Sequence, residues 1–221
     1  MNRKLVKTED GSHTIYVPEL GEHYHSIHGA IRESEHIFIQ AGFLHKEKDP
    51  VRVLEFGMGT GLNVLLTYIH SVRTGRKVHY HTIEKYPVTR TEKELLNLSE
   101  LTDCKDPKIF DKIHDSPWGE LIEIDHSFRL YKEKADFRGV NLQGPFDVIY
   151  FDAFAPEVQP KLWGEQIFKD IYNVAASGAV LTTYSAKGLV RRHLKAAGFR
   201  VEKLPGPPGK REITRAVKYF S

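Results

Sequence analysis

The stretch Val51-Arg-Val-Leu-Glu-Phe-Gly-Met-Gly-Thr-Gly61 constrains the fold of this chain more than any other. Apolar residues run into an acid, Glu55, and then into glycines at alternate positions, Gly57, Gly59 and Gly61. Apolar residues at helical spacing follow at once, over Leu62–Arg73. A strand that ends in such a loop brings bare backbone close to a ligand, because glycine has no Cβ and tolerates positive φ. The spacing is not the dinucleotide fingerprint, whose third glycine comes one residue later. No Gly-Lys-Ser/Thr ending marks a phosphate-binding P-loop either.

The pattern then repeats. Val78–Ile83 reads as a second strand and Pro87–Leu98 as a second helix, with proline near its start. Short helices are expected around Trp118, and a third strand over Phe128–Lys132. Phe146–Phe151 is nearly continuous in apolar residues, as buried parallel strands are. Leu162–Ala176 reads as a helix, Ala179–Tyr184 as a strand, Gly188–Ala197 as a helix, and Phe199–Leu204 and Ile213–Phe220 as two last strands. Strands alternating with helices predict an α/β, doubly wound, mostly parallel sheet with an antiparallel strand near its C-terminal end. Residues 1–45 read as an N-terminal extension packed on the core. It holds a hairpin turned by Glu9-Asp-Gly-Ser12, a polar loop and a helix, and residues 46–221 form the α/β domain.

A chain of 221 residues, 40% hydrophobic, supports one full domain. Its mean hydropathy is −0.41, and no apolar run approaches the roughly 20 residues that span a bilayer. The N-terminus lacks the apolar stretch of a signal peptide, so a cytoplasmic protein with no membrane partner is expected. The single cysteine, Cys104, excludes an internal disulfide and a multi-cysteine zinc site. Residues 185–221 carry ten Lys or Arg and two Glu, against a formal charge of +3 for the whole chain. This asymmetry points to a polyanionic partner, with Arg191, Arg192, Lys210 and Arg211 as candidate phosphate contacts. His23, His25 and His28 lack the i, i+4 spacing of a zinc helix, and no metal is expected.

The acid followed by G-x-G-x-G resembles motif I of the class I S-adenosylmethionine methyltransferases, and the predicted layout matches their Rossmann-like fold. In such sheets ligands bind outside the carboxyl ends of the strands. Glu84 ends the second strand, where a carboxylate can accept hydrogen bonds from both ribose hydroxyls of a nucleoside cofactor. Asp136 follows the third strand and could meet the adenine amino group. Asp152, in Phe151-Asp-Ala-Phe-Ala-Pro156, ends the central strand, where a carboxylate can attract, deprotonate and aim a substrate amine.

Six segments taken in order carry a closer resemblance: Glu55–Asn63, Glu84-Lys-Tyr-Pro87, Phe151–Pro156, Leu162-Trp163, Thr183–Arg192 and Gly209-Lys-Arg-Glu212. Together they resemble the methyltransferase domain of the bacterial MnmC family, from about residue 10 to the end of the chain. The resemblance is to the stand-alone, MnmD-type form, so FAD chemistry is not implied. It implies a tRNA wobble-uridine methyltransferase that moves a methyl group from S-adenosylmethionine to the exocyclic amine of 5-aminomethyl-(2-thio)uridine. The products are 5-methylaminomethyl-(2-thio)uridine and S-adenosylhomocysteine, and a separate enzyme would supply the aminomethyl uridine.

In that scheme Glu55, Gly57, Gly59, Gly61, Asn63, Glu84 and Asp136 form the cofactor site and Asp152 is catalytic. Tyr24, His25, Ser26, Phe154, Ser185, Lys187, Arg191, Lys210 and Arg211 contact substrate or tRNA, with Tyr24, His25 and Ser26 as a cover. Met58 departs from the aromatic residue of many relatives, and Ala135 from a usual glycine. Three rival readings share much of this pattern. They are a methyltransferase for a small-molecule or protein amine, a non-enzymatic RNA-binding module, and an aminopropyltransferase, which usually carries more acids.

Overall fold

A computed structural model describes residues 3–219. Its main sheet has eight strands. In chain order they are β4 (Val51–Phe56), β5 (Val78–Ile83), β6 (Leu121–Asp125), β7 (Phe128–Glu133), β8 (Phe146–Phe151), β9 (Ala175–Thr183), β10 (Arg200–Pro205) and β11 (Glu212–Val217). Their order across the sheet is β10-β11-β9-β8-β4-β5-β7-β6. The pairs from β9 to β7 are parallel, and β11 runs antiparallel to both β9 and β10. This is the class I, Rossmann-like fold that the strand–helix alternation predicts.

The central strands are buried because they are apolar on both faces. All of β8 is buried, and so is β4 except Arg52. Helices cover each face of the sheet. Helix α2 (Leu62–Thr74) lies on one side with α5 (Lys108–Asp115), and α6 (Glu165–Val174) and α7 (Gly188–Ala196) pack on the other, giving two apolar clusters. Chain direction across the sheet changes beside β4 and β8, so the crevice above their carboxyl ends is the natural ligand site.

An N-terminal sheet, β1 (Lys4–Lys7), β2 (His13–Val17) and β3 (Glu22–His23), precedes α1 (Ala30–Ser34). The hairpin pairs Lys7 with His13, as the Asp-Gly turn requires. Helix α1 runs on into a π-helical turn, Glu35–Gln40, whose Ile37 and Phe38 join the α2-side core.

Several elements differ from the sequence reading. The expected helix Pro87–Leu98 is two short helices, α3 (Arg90–Glu94) and α4 (Leu98–Leu101). Thr89 and Glu92 form a capping box that starts α3 three residues beyond Pro87. Strand β6 was not foreseen, because Leu121-Ile-Glu-Ile-Asp125 pairs as an antiparallel edge whose outer residues are exposed. Helix α6 stops at Val174, and β9 already begins at Ala175. The β8–β9 register then shifts, with Gly178 at φ 67, so regular pairing resumes only at Val180. Of the expected last strand, Phe220 lies outside the described residues. Among the described residues no helix is long and apolar enough to cross a membrane.

Candidate active site

A cavity of about 840 Å³ opens above the carboxyl ends of β4, β5 and β8. Its floor starts at Gly57, where φ is 94° and an added Cβ would stand 2.5 Å from the Asp152 carbonyl oxygen. Two strand ends thus meet backbone to backbone, which only glycine allows. The Gly59 N–H donates to Glu84 Oε2 at 3.1 Å, and the Tyr86 N–H donates to Glu84 Oε1 at 2.7 Å. Both oxygens of Glu84 are therefore fixed by backbone donors while the side chain still lines the cavity. Gly61, at φ 76°, is the left-handed cap from which α2 starts.

Behind this surface lies Glu55. Its side chain is fully buried, and the Thr82 hydroxyl donates to its Oε2 at 2.7 Å. Burial pushes its carboxyl up to about 7. Asn63, on the first turn of α2, donates its amide to Asp152 Oδ2 at 3.0 Å. Asp152 opens in part to the cavity, yet enough protein surrounds it that burial raises its carboxyl well above the ordinary range. The charges of Glu33 and Glu55 act in the same direction, while the Asn63 bond and Lys210 oppose them. An acid so placed holds a proton more tightly than a free aspartate, as a proton acceptor working near neutral pH requires.

The segment Tyr24–Ser26 forms the rim. Tyr24 lies against Gly59, where a Cβ would come within 2.7 Å of its ring, and it meets the Phe154 ring edge-on at 5.1 Å between centroids. His25 is buried, with Nε2 2.7 Å from Thr60 Oγ1. Burial pushes its imidazole down to about 4, so it is neutral at physiological pH. The Ser26 N–H donates at 2.8 Å to Glu33, a buried acid on α1 that also pairs with Lys210. Sequence reasoning missed Glu33, because an acid in a polar helix carries no signal of its own. The same holds for Tyr184, whose hydroxyl donates to the Ala153 carbonyl at 2.7 Å on the cavity wall.

Other expected site residues are placed less simply. Asp136 lines the cavity beside Tyr86 and Phe137, but Lys85 at 2.9 Å and Arg138 at 2.8 Å already hold its carboxylate. Arg138 and Lys85 together keep that carboxyl well below the usual range. A second, shallower cavity shares Ala155, Tyr184 and Lys210 with the first and gathers Ser185, Lys187, Lys203 and Arg211. Lys187 pairs with Glu157 at 2.7 Å, both exposed. Arg191 lies on neither cavity. Its guanidinium reaches Glu212 at 2.9 Å and Thr214 at 3.0 Å, which uses its charge inside the protein. Among the described residues no cluster of metal-ligating side chains could hold an ion.

The donor set fits a nucleoside. Bare backbone at Gly57 and Gly59, a fixed carboxylate at Glu84, and the rings of Tyr86 and Phe137 share one surface. The fold is the class I, Rossmann-like fold of the S-adenosylmethionine-dependent methyltransferases. A family model described as "S-adenosyl-L-methionine-dependent methyltransferase" matches residues 125–219. The chain is 31% identical over 229 residues to the tRNA 5-methylaminomethyl-2-thiouridine biosynthesis bifunctional protein MnmC of Cupriavidus metallidurans, covering 96% of this chain and 33% of that one. It is 29% identical over 203 residues to the MnmC protein of Leptospira interrogans, covering 86% of this chain and 31% of that one. The chain therefore spans about a third of the length of these relatives.

Among solved structures, MNMC2 from Aquifex aeolicus superposes with a TM-score of 0.78 at 24% identity, covering 100% of this chain and 72% of that one. Spermidine synthase from Thermotoga maritima shares the fold, with a TM-score of 0.57 at 18% identity and coverage of 100% and 75%. The chain is thus similar over nearly its whole length to one part of the MnmC proteins, and its C-terminal residues 125–219 match the methyltransferase family model.

Proposed function

We propose that this protein methylates the exocyclic amine of 5-aminomethyl-(2-thio)uridine at the wobble position of tRNA, using S-adenosylmethionine. The observation that carries this reading is Asp152. It directly follows β8, with its backbone carbonyl against Gly57 and its carboxyl oriented by Asn63, in a cavity large enough for cofactor and nucleobase together. The similar MnmC proteins are named for tRNA 5-methylaminomethyl-2-thiouridine biosynthesis, which supports this reading.

When bound, S-adenosylmethionine supplies an electrophilic methyl group on a sulfonium sulfur. Glu84, Gly57 and Gly59 would hold its nucleoside end and Asp136 its adenine side, with Glu55 and Asn63 supporting the loop from behind. The substrate amine arrives as an ammonium, which has no lone pair. Asp152 accepts one of its protons, so an N–H bond breaks as a carboxyl O–H bond forms. The freed lone pair is then held in line by the same carboxyl group. Asn63 keeps Oδ2 fixed, which leaves Oδ1 to meet the amine. Tyr24 and Phe154 close over the reacting groups and exclude water. The shared wall at Tyr184 and Lys210 leads to the groove of Lys187, Lys203 and Arg211, which would receive RNA phosphates. An enzyme that installs an aminomethyl group on uridine must act earlier.

The test is methyl transfer from labelled S-adenosylmethionine into bulk tRNA that lacks the modification, followed by nucleoside analysis. The expected result is a labelled 5-methylaminomethyl-2-thiouridine or 5-methylaminomethyluridine peak. Cofactor binding without label in tRNA would overturn the reading in favour of a small-molecule or protein amine.

A further inference from the structure

Glu33 on α1 and Lys210 in the β10–β11 loop come from opposite ends of the chain, yet their side chains form an ion pair on the cavity wall. The Glu33 side chain is 9% exposed and that of Lys210 29%. Withdrawing both charges from water is costly, and an apolar pair of similar volume often serves stability as well. A ligand that uses the pair would account for it. Both partners have capacity left. A carboxylate offers about four acceptor positions. The Ser26 N–H at 2.8 Å takes one on Glu33, and Lys210 takes another. The Lys210 ammonium can donate more than once. One of its donors faces Glu33, and the Tyr184 ring centroid lies 4.5 Å from the nitrogen.

The pair is also held in place. The Lys210 N–H donates to the Pro207 carbonyl at 2.9 Å, and the Gly206 N–H to the Arg211 carbonyl at 3.1 Å. Gly209, at φ 85°, packs so tightly on His28 that a Cβ would fall 2.5 Å from its ring. His36 Nε2 meets the Pro205 carbonyl at 2.8 Å. The C-terminal hairpin is thus clasped to the N-terminal extension, and the donor and acceptor are preorganised side by side.

Building on the wobble-uridine reading, we propose that Glu33 and Lys210 are specificity-determining residues that read the N3–H and C4=O edge of the pyrimidine whose C5 arm reaches Asp152. A uracil-type ring presents a donor at N3 beside an acceptor at C4. The ion pair presents the complement, an acceptor beside a donor. C4 adjoins C5, so this edge and the amine fall on neighbouring parts of one cavity. Asp152 senses both partners, since Glu33 pushes its carboxyl up and Lys210 pulls it down. A cytosine-type ring reverses the pattern and would set acceptor against carboxylate and donor against ammonium.

The test compares two anticodon stem-loop RNAs, one with 5-aminomethyluridine and one with 5-aminomethylcytidine at the wobble position. The readout is the ratio of their kcat/KM values in the wild type, Glu33→Gln and Lys210→Gln. That ratio does not depend on the fraction of enzyme folded. The wild type is expected to prefer the uridine RNA by roughly 100-fold or more, and each variant to shrink the ratio about tenfold or more. If a variant loses all measurable turnover, equilibrium binding of the two RNAs supplies the same ratio. An unchanged ratio in both variants assigns the pair a purely structural role and overturns the inference, as does a wild type that methylates both RNAs equally. A wild type that methylates neither RNA overturns the wobble-uridine reading beneath it.

Discussion

The floor of the cavity and its rim are built by different forces. The floor runs from Phe56 to Gly61, Glu84 and Asp152, at the ends of adjacent parallel strands. Backbone contacts hold it: the Gly59 and Tyr86 N–H groups on Glu84, and the close approach of Gly57 to Asp152. The rim joins Tyr24–Glu33 to Tyr184 and Lys210, far apart in the chain, through ring edges and an ion pair. Backbone geometry resists substitution and suits a cofactor whose shape does not change. Side-chain pairs can be exchanged one at a time, which suits the choice of substrate. Damage to the floor should therefore act on chemistry and cofactor, and damage to the rim on what is methylated.

The largest effect expected is at Asp152. Asp152→Ala should lower kcat by about 10³-fold, in the range of lost proton-transfer catalysis, while S-adenosylmethionine binding measured by calorimetry stays largely intact. Equal losses in both would make Asp152 part of the cofactor cradle and erase the distinction within the floor.

Glu55 tests the floor through stability. Its carboxyl is raised from 4.5 to about 7, so between these values the folded protein holds a proton that the unfolded chain has released. Stability must then fall as pH rises through that window. Glu55→Gln removes the penalty, and should stabilise the protein by up to about 3 kcal/mol at pH 8. The gain should vanish below the unfolded value of 4.5. Thermal melts of both proteins across pH decide this, and a gain independent of pH would refute it.

At Glu84 the effect should be smaller and confined to the cofactor. Glu84→Ala loses charge-assisted hydrogen bonds, and the dissociation constant for S-adenosylmethionine should rise roughly 10- to 100-fold. An unchanged constant would remove the ribose assignment.

The smallest effects belong to the outer groove. Reversing the charge of Lys187 or Arg211 should raise KM for tRNA by about tenfold or less and flatten its salt dependence, with KM for S-adenosylmethionine unmoved. Equal changes in the two constants would mean that the groove does not receive phosphate.

How far each region was legible follows from how it is built. Each part of the floor directly follows a strand, so Glu55, the three glycines, Glu84 and Asp152 could be picked out by their position in or after apolar runs. The structure brings Gly57, Gly59, Glu84 and Asp152 onto one surface. Asp136 was also visible, but not that Lys85 and Arg138 would occupy it. Lys210 and Arg191 read alike as surplus positive charge. One faces Glu33 and Tyr184 across the cavity wall, and the other is folded against Glu212 and Thr214. Nothing in local composition separates them, because the partners lie on other elements.

The sequence by itself determined the alternation of apolar strands and amphipathic helices. It also determined the glycine loop after β4 and the acids at the ends of β5 and β8. Each follows from local rules of periodicity and backbone freedom. Only the tertiary structure decided that Glu33 meets Lys210, that Tyr24 lies on Gly59, and that Arg191 turns inward. Those pairings depend on how the N-terminal extension and the C-terminal hairpin pack across the sheet. Contacts between residues so distant in the chain are set by the packed fold, and no local pattern encodes them.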